Sequence, residues 1–335
     1  MKLVSVTLTL TVMGFAMAAA GVAVPAESVP AVQGDGGVLR MTNNQAGTNA
    51  FAFYTIKKFK LDEKYGFKIQ EIVVSGSLAA MTALRAGGTD MVVADLMSIA
   101  NLRHAGEKMI AVVPMFRWGD QIVVPANSTI KDLGDLRGKR VGTDNRNNAT
   151  WFVIVAAALK LHNLNLEKDA QVHAGSVSLL RGLMEQGQLD ATFMFNNITP
   201  AMTVSGKFRV LYEMRELISA LGLDGDVPFL FHAVSEAYAA AHPANVKAYL
   251  AAYREAVQIL NTDDDIWIEV GRRQKMDDAV IPPLRDEMRR DLMSRFELTT
   301  ETAVRNIFAV LLATAGPAVL GMSKLSDQFM TNEYQ

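Results

Sequence analysis

The chain has 335 residues, of which 33 are basic and 35 acidic, and half are hydrophobic. With no long charge run, that balance gives no sign of a nucleic-acid or anionic-membrane surface, and the length suits two lobes of ordinary domain size. The absence of cysteine excludes a disulfide frame, a thiolate metal site and a cysteine nucleophile. The first expected element is an export signal: Lys2 is the only charge before Glu27, Leu3 to Met17 is an apolar or neutral run, and small residues follow up to Ala26. The run is too short for a membrane span, which needs about 20 apolar residues, and it reads as a removed signal peptide over 1–26, cleaved between Ala18 and Ala26. A cysteine-free mature start carries no lipid anchor. Glu27 to Gly37, with Pro30, Gly34, Gly36 and Gly37, reads as an unstructured mature start.

Strand-like and helix-like segments then alternate, the pattern of an α/β fold with mostly parallel sheets. Strands are expected at 38–42, 68–74, 91–94 and 109–115, with helices at 51–64, 78–86 and 99–105 between them. Gln121 to Pro125 leads away. A short helix, a Gly turn and a strand follow over 130–142, then an apolar helix at 149–162. Strands at 171–174, 191–195 and 208–212, with a helix at 176–186, complete a second lobe. Phe229 to Val234 reads as a strand returning to the first. The remainder is helical: 243–261, 266–274, 284–295 and 300–315. The organisation predicted is a first lobe from 38–122 plus 233–335 and a second lobe from 123–232. A pseudo-repeat supports two similarly built lobes. Leu84-x-x-Gly87-x-x-Asp90 and Met184-x-x-Gly187-x-x-Asp190 each end a helix with a Gly cap and open a strand with Asp.

Ser75 to Asp90 resembles an S-G…A-L-x-x-G-x-x-D segment, Ile130 to Gly142 an I-x-D-L-x-G-K-x-V-G segment with an insertion, and Gly187 to Ala191 with Pro200 a G-x-x-D-A…P segment. Together these resemble the nitrate/sulfonate/taurine solute-binding proteins (SsuA-like, NMT1/THI5-like) over residues 38–260. The resemblance implies a type II periplasmic-binding-protein fold, two lobes joined by a hinge. It also implies that the protein is not an enzyme but a periplasmic solute receptor serving an ABC importer. Its partners would be a small-molecule ligand of the sulfonate, carboxylate or heteroaromatic class and an inner-membrane ABC permease. No nucleic acid is expected, and the protein should be a monomer. The chain departs from the family pattern at Asp144-Asn-Arg-Asn-Asn148, where Gly-Ser is usual, and at Phe195-Asn-Asn-Ile-Thr-Pro200, where a Trp is usual.

Ligands of open α/β sheets bind beyond the carboxyl ends of strands. Independently of the resemblance, that rule selects Asn43, Asn44 and Gln45 after the first strand, Ser75 and Ser77 after the second, Asp95 after the third, and Arg117 and Trp118 after the fourth. In the second lobe it selects Asp144, Arg146, Asn147, Asn148 and Thr150, then Gly175 and Ser176, then Asn196 and Asn197. Paired amides on three loop tips, which both donate and accept, suit a small polar organic ligand, and Arg117 or Arg146 could grip a carboxylate. Trp118 reads as a ring-stacking surface or a wall of the cleft. His104, His162, His173, His232 and His242 are scattered without metal-ligand spacing, so no metal and no cofactor is expected. Two rival readings remain: a periplasmic sensor or co-receptor of the same fold, and an enzyme of the THI5-like pyrimidine class. The enzymes of that class carry a Cys-rich motif that this chain cannot match.

Overall fold

The protein is described here by a computed structural model covering residues 32–335 except 46 and 76. The expected signal peptide and residues 27–31 lie outside the described residues. Residues 32–37 do not form the loose segment that the sequence suggests. Gly34 and Gly36 donate their backbone N–H groups to the carbonyls of Tyr65 and Gly66 at 2.8 and 2.9 Å, and Asp35 pairs with His242 at 2.8 Å. The glycines that read as flexible let this strip of backbone lie directly on the next one.

The first half contains β1 (Val38–Asn43), α1 (Asn49–Lys58), α2 (Leu61–Lys64), β2 (Lys68–Val73), α3 (Ser77–Arg85), β3 (Met91–Asp95), α4 (Leu96–His104) and β4 (Met109–Arg117). The single helix expected over 51–64 is broken. Lys60 turns left-handed at φ 50°. Lys57 then reaches the buried Asp62 at 2.6 Å, and Asp62 accepts the backbone N–H of Ile69 at 3.2 Å. That tertiary anchor folds the last turn under β2.

Then come β5 (Gln121–Pro125), a 3-10 turn at Leu133–Leu136, β6 (Arg140–Thr143), α5 (Ala149–His162), α6 (Leu166–Asp169), β7 (Gln171–Ala174), α7 (Val177–Glu185), β8 (Ala191–Met194), α8 (Thr199–Thr203), β9 (Phe208–Glu213) and α9 (Met214–Ala220). The last group is β10 (Pro228–Ser235), α10 (Glu236–Ala241), α11 (Pro243–Thr262), α12 (Asp265–Arg273), α13 (Ile281–Asp291), α14 (Thr300–Ala315) and α15 (Pro317–Leu320). Helix α13 starts three residues earlier than expected because Pro282 and Pro283 occupy its first turn, where a missing N–H costs nothing. It ends earlier because Met293 donates to the carbonyl of Met115 on β4 at 2.9 Å.

Two five-stranded sheets result, ordered β2-β1-β3-β10-β4 and β7-β6-β8-β5-β9. Within each, the first three strands are parallel and the fourth runs antiparallel to both neighbours. The antiparallel member is the crossing strand in each case: β5 carries the chain out to the second sheet, and β10 carries it back. The α/β two-lobed fold is thus as the sequence predicts. The pseudo-repeat has a physical basis. Asp90 receives Arg40 through two side-chain bonds of 2.6 and 3.0 Å, and Asp190 receives Arg140 through two of 2.7 and 3.1 Å. Gly87 and Gly187 precede them at φ 69° and 67°, a conformation that favours glycine at a helix end.

Helices α11, α12 and α13 bury Tyr249, Trp267 and Met288 against one face of the first sheet. Helix α5 is apolar on most sides because the second sheet covers one flank and α14 another. Val304, Ile307, Phe308 and Leu311 of α14 share one core with Trp151, Phe152 and Ile154. The expected placement of all of 233–335 with the first lobe leaves that contact out. Residues 32–335 cluster as one unit.

Candidate functional site

The carboxyl ends of the parallel strands place the loop tips, and the structure shows how each selected side chain is engaged. After β1, Asn43 is buried with its amide consumed: it donates to Glu71 at 2.8 Å and accepts from Asn49 at 3.0 Å. Gln45 also donates to Glu71, at 3.1 Å, and its carbonyl accepts from Gln274. Asn44 is half-buried, Ser75 is exposed, and Ser77 opens α3. Asp95 caps α4, accepting from the backbone of Met97 and Ser98 at 2.8 and 2.9 Å and from the Ser98 hydroxyl.

After β6, Asn148 caps α5 by accepting from Trp151 N–H at 2.6 Å, and it donates to Asp144. Asn147 is exposed. Ser176 caps α7 by accepting from Leu179 at 3.3 Å, and Gly175 bonds through its N–H to Thr143. Asn197 is half-buried, whereas Asn196 is buried and donates to Asp291 at 3.4 Å.

The two arginines do not converge on these tips. Arg146 reaches Glu167 at 3.1 Å and the Val172 carbonyl at 2.6 Å, which places it over β7. Arg117 pairs with Glu297 at 3.1 Å and lies 3.9 Å from Asp226. Both guanidinium groups expected to grip a carboxylate are held by acidic neighbours in this structure.

Trp118 is fully buried and stacks on Phe229, with ring centroids 4.3 Å apart and planes 12° apart. Its indole N–H reaches Asp120 at 3.2 Å and Thr150 at 3.1 Å, and Thr150 donates to Asp120 at 2.9 Å. Trp118 and Thr150 thus fasten the crossing between the sheets.

Sequence reasoning missed Asp120, Phe229, Glu287 and Asp291. A Cβ on Gly119 would lie 2.1 Å from the Asp291 carboxylate and 2.7 Å from the Asn196 amide, so α13 approaches the crossing as closely as glycine allows. Only the Gly-Asp dipeptide after a predicted strand could have hinted at this approach.

Carboxyl groups dominate the electrostatics. Burial pushes Asp120 up to about 7, opposed by its bonds from Thr150 and Trp118 and assisted by the charges of Asp144 and Asp291. Burial pushes Asp144 up to about 6; bonds from Asn145 and Asn148 oppose this, and the charge of Asp95 adds to it. Asp95 ends β3 of the first sheet and Asp144 follows β6 of the second, so a charge carried by one sheet acts on a carboxyl placed by the other. Hollows of about 510 and 530 Å³ lie along α12 and beside α11, away from these tips. Among the described residues no group of three or more His, Cys, Asp or Glu is placed to hold a metal, and no helix is long and apolar enough to cross a membrane.

Two sheets of matching order, each with one antiparallel crossing strand and with loop tips from both at the strand ends, define a two-lobed binding-protein fold. Residues 58–265 match the family profile described as the ABC transporter phosphonate periplasmic substrate-binding protein. The chain belongs to that family, whose members bind substrates for transport and are not enzymes. None of the curated proteins compared matches the sequence. Among solved structures, the periplasmic aliphatic sulphonate-binding protein SsuA from Escherichia coli is 19% identical with a TM-score of 0.74, covering 89% of this chain and 98% of its own. The periplasmic nitrate-binding protein NrtA from Synechocystis PCC 6803 is 12% identical with a TM-score of 0.65, covering 90% and 88%. The desulfurization enzyme DSZB is 13% identical with a TM-score of 0.63, covering 89% and 97%. The fold by itself therefore accompanies both binding and catalysis, and the family match makes the distinction.

Proposed function

We propose that this protein is a monomeric receptor, exported through a cleaved N-terminal signal, that binds a small polar organic ligand between its lobes and delivers it to an ABC permease. The lobes correspond to 38–122 with 233–335, and to 123–232, rocking on the two crossings. The ligand presents a donor-rich, amine-like group to Asp95 and Asp144. One observation carries this reading: the charge of Asp95, at the end of a first-sheet strand, adds to the upward push on the part-buried Asp144 carboxyl after β6, while Arg117 and Arg146 are paired elsewhere. The N-termini of α4, α5 and α7, which would suit an anion, are already capped by Asp95, Asn148 and Ser176. These features count against a bare sulfonate, nitrate or carboxylate as the group held there.

Calorimetry with matched amine-bearing solutes, alkanesulfonates, phosphonates and nitrate tests the proposal. An amine-bearing solute should bind best, and Asp144→Asn should weaken it by about 1.5–3 kcal/mol, roughly 10- to 150-fold. Because Asp144 titrates near 6, affinity for a cation should fall as pH drops through that value. Tighter binding of nitrate or a simple sulfonate, unchanged in Asp144→Asn, would overturn the ligand class.

A further inference from the structure

Helix α13 belongs to the first sheet by its packing. Leu284 and Met288 are buried in that core, Leu292 bridges Phe116 of β4, and Tyr253 holds the Met293 carbonyl at 2.9 Å. Another face of the same helix reaches the second sheet. Glu287 accepts from Gln121 at the start of β5, and Asp291 accepts from Asn196 after β8 and from Arg215 of α9. Arg290 donates to Glu213 at the end of β9 at 3.0 Å. Gln121 pairs in register with Met194 of β8 and Glu213 of β9, so α13 spans three adjacent strand ends of the other sheet.

Within this contact the Gln121 carbonyl oxygen is buried and has no hydrogen-bond partner. An amide oxygen needs a donor, and its neighbour Glu287 supplies one only when its carboxyl carries a proton. The neutral acid and the amide can then bond in both directions, Gln121 N–H to Glu287 and Glu287 O–H to Gln121. We propose that α13 is a proton-dependent clasp between the two lobes, fastened when neutral Glu287 pairs both ways with Gln121 and loosened when Glu287 ionises.

The surroundings favour the neutral form. Burial pushes Glu287 up to about 8, with Asp291 and Glu213 adding to the effect and Arg290 and the Gln121 bond opposing it. Arg215 is occupied by Asp291, Asp226 and Glu213, and Asp120 lies beside Gln121 in the chain. Ionising Glu287 leaves the amide oxygen without that donor and sets a charge in a buried place where Asp291 and Glu213 oppose it and Arg290 does not offset the burial, which costs free energy.

The sign follows from linkage. The fastened state holds its proton up to about pH 8, whereas a solvated glutamate releases it near the ordinary glutamate value of about 4.3. Between those limits, each pH unit favours the loosened state about tenfold, and above the upper limit the effect levels off. The buried His232 is held neutral, with its titration pushed down to about 3 by burial. Its own effect on stability is confined to acid below the ordinary histidine value, about 6.5, and weakens as pH rises.

The absence of cysteine allows site-specific spin labels at Glu107→Cys and Lys207→Cys, exposed positions flanking strands of different sheets. Interlobe distance distributions of the ligand-free chain are then measured between about pH 5.5 and 8.5. The loosened population should rise up to about tenfold per pH unit. It should stay flat in Glu287→Gln, which keeps the size of the neutral acid, and persist in Asp120→Asn. Glu287→Ala should give the loosened distribution throughout. An unchanged distribution in the parent chain overturns the clasp, as does a response that survives in Glu287→Gln or vanishes in Asp120→Asn, or a fastened distribution in Glu287→Ala.

Discussion

The two sheets are built on one plan, yet their loop tips differ in kind. Each contains the same Arg–Asp clamp, Arg40 with Asp90 and Arg140 with Asp190, and the same glycine before the aspartate. The repeated parts fix the scaffold by local geometry that any lobe of this design needs. Beyond the first strand the plans diverge. The β1 tip spends Asn43 and Gln45 on Glu71 inside its own lobe. The β6 tip keeps Asp144 partly buried, its carboxyl pushed up by burial with the charge of Asp95 adding to the effect. The repeat serves stability, and the departures from it sit where the lobes meet.

The comparison breaks first at the crossing, which neither lobe repeats. Trp118→Ala should destabilise the protein by about 3–5 kcal/mol, because it empties a fully buried site and strips the indole bond from Asp120. Chemical denaturation would show this as a lower midpoint. A loss below about 1 kcal/mol would mean that the crossing is not the joint described here.

The clamps allow a direct comparison of the lobes. The Asp90 side chain is 10% exposed and that of Asp190 29%, while each arginine is 38% exposed. Solvent screening therefore discounts both ion pairs, and the bonds to the Arg40 and Arg140 backbone N–H groups matter more. Asp90→Asn should cost about 1–2 kcal/mol and Asp190→Asn about half as much. Equal costs would show that burial does not distinguish the two halves.

The smallest effects separate capping from surface charge on the β6 tip. Asn148→Ala removes the cap of α5 and should cost about 1 kcal/mol of stability. Arg146→Ala, on an exposed pair, should change stability by less than about 0.5 kcal/mol and leave ligand affinity unaltered. A large loss of affinity in Arg146→Ala would restore the carboxylate grip that its spacing suggests.

Much of the scaffold was legible in the sequence. Alternating strand and helix patterns, the Gly-x-x-Asp repeat and the returning strand near 229–234 depend on neighbours close along the chain, so periodicity and glycine placement reveal them. The loop tips followed from the rule that parallel sheets present sites at their carboxyl ends. What the tips do was not legible. Arg146 and Asn148 stand two residues apart, yet one turns to Glu167 over β7 and the other caps α5. Nothing in their spacing distinguishes those outcomes. Asp120, Glu287 and Asp291 were invisible for the same reason: their burial depends on a helix about 170 residues downstream packing across the crossing. Sequence determines which groups can form a strand, a turn or a cap, because those energies are local. Only the tertiary structure decides which carboxyls lose their water and which guanidinium groups find partners, because desolvation and pairing depend on segments that meet only after folding.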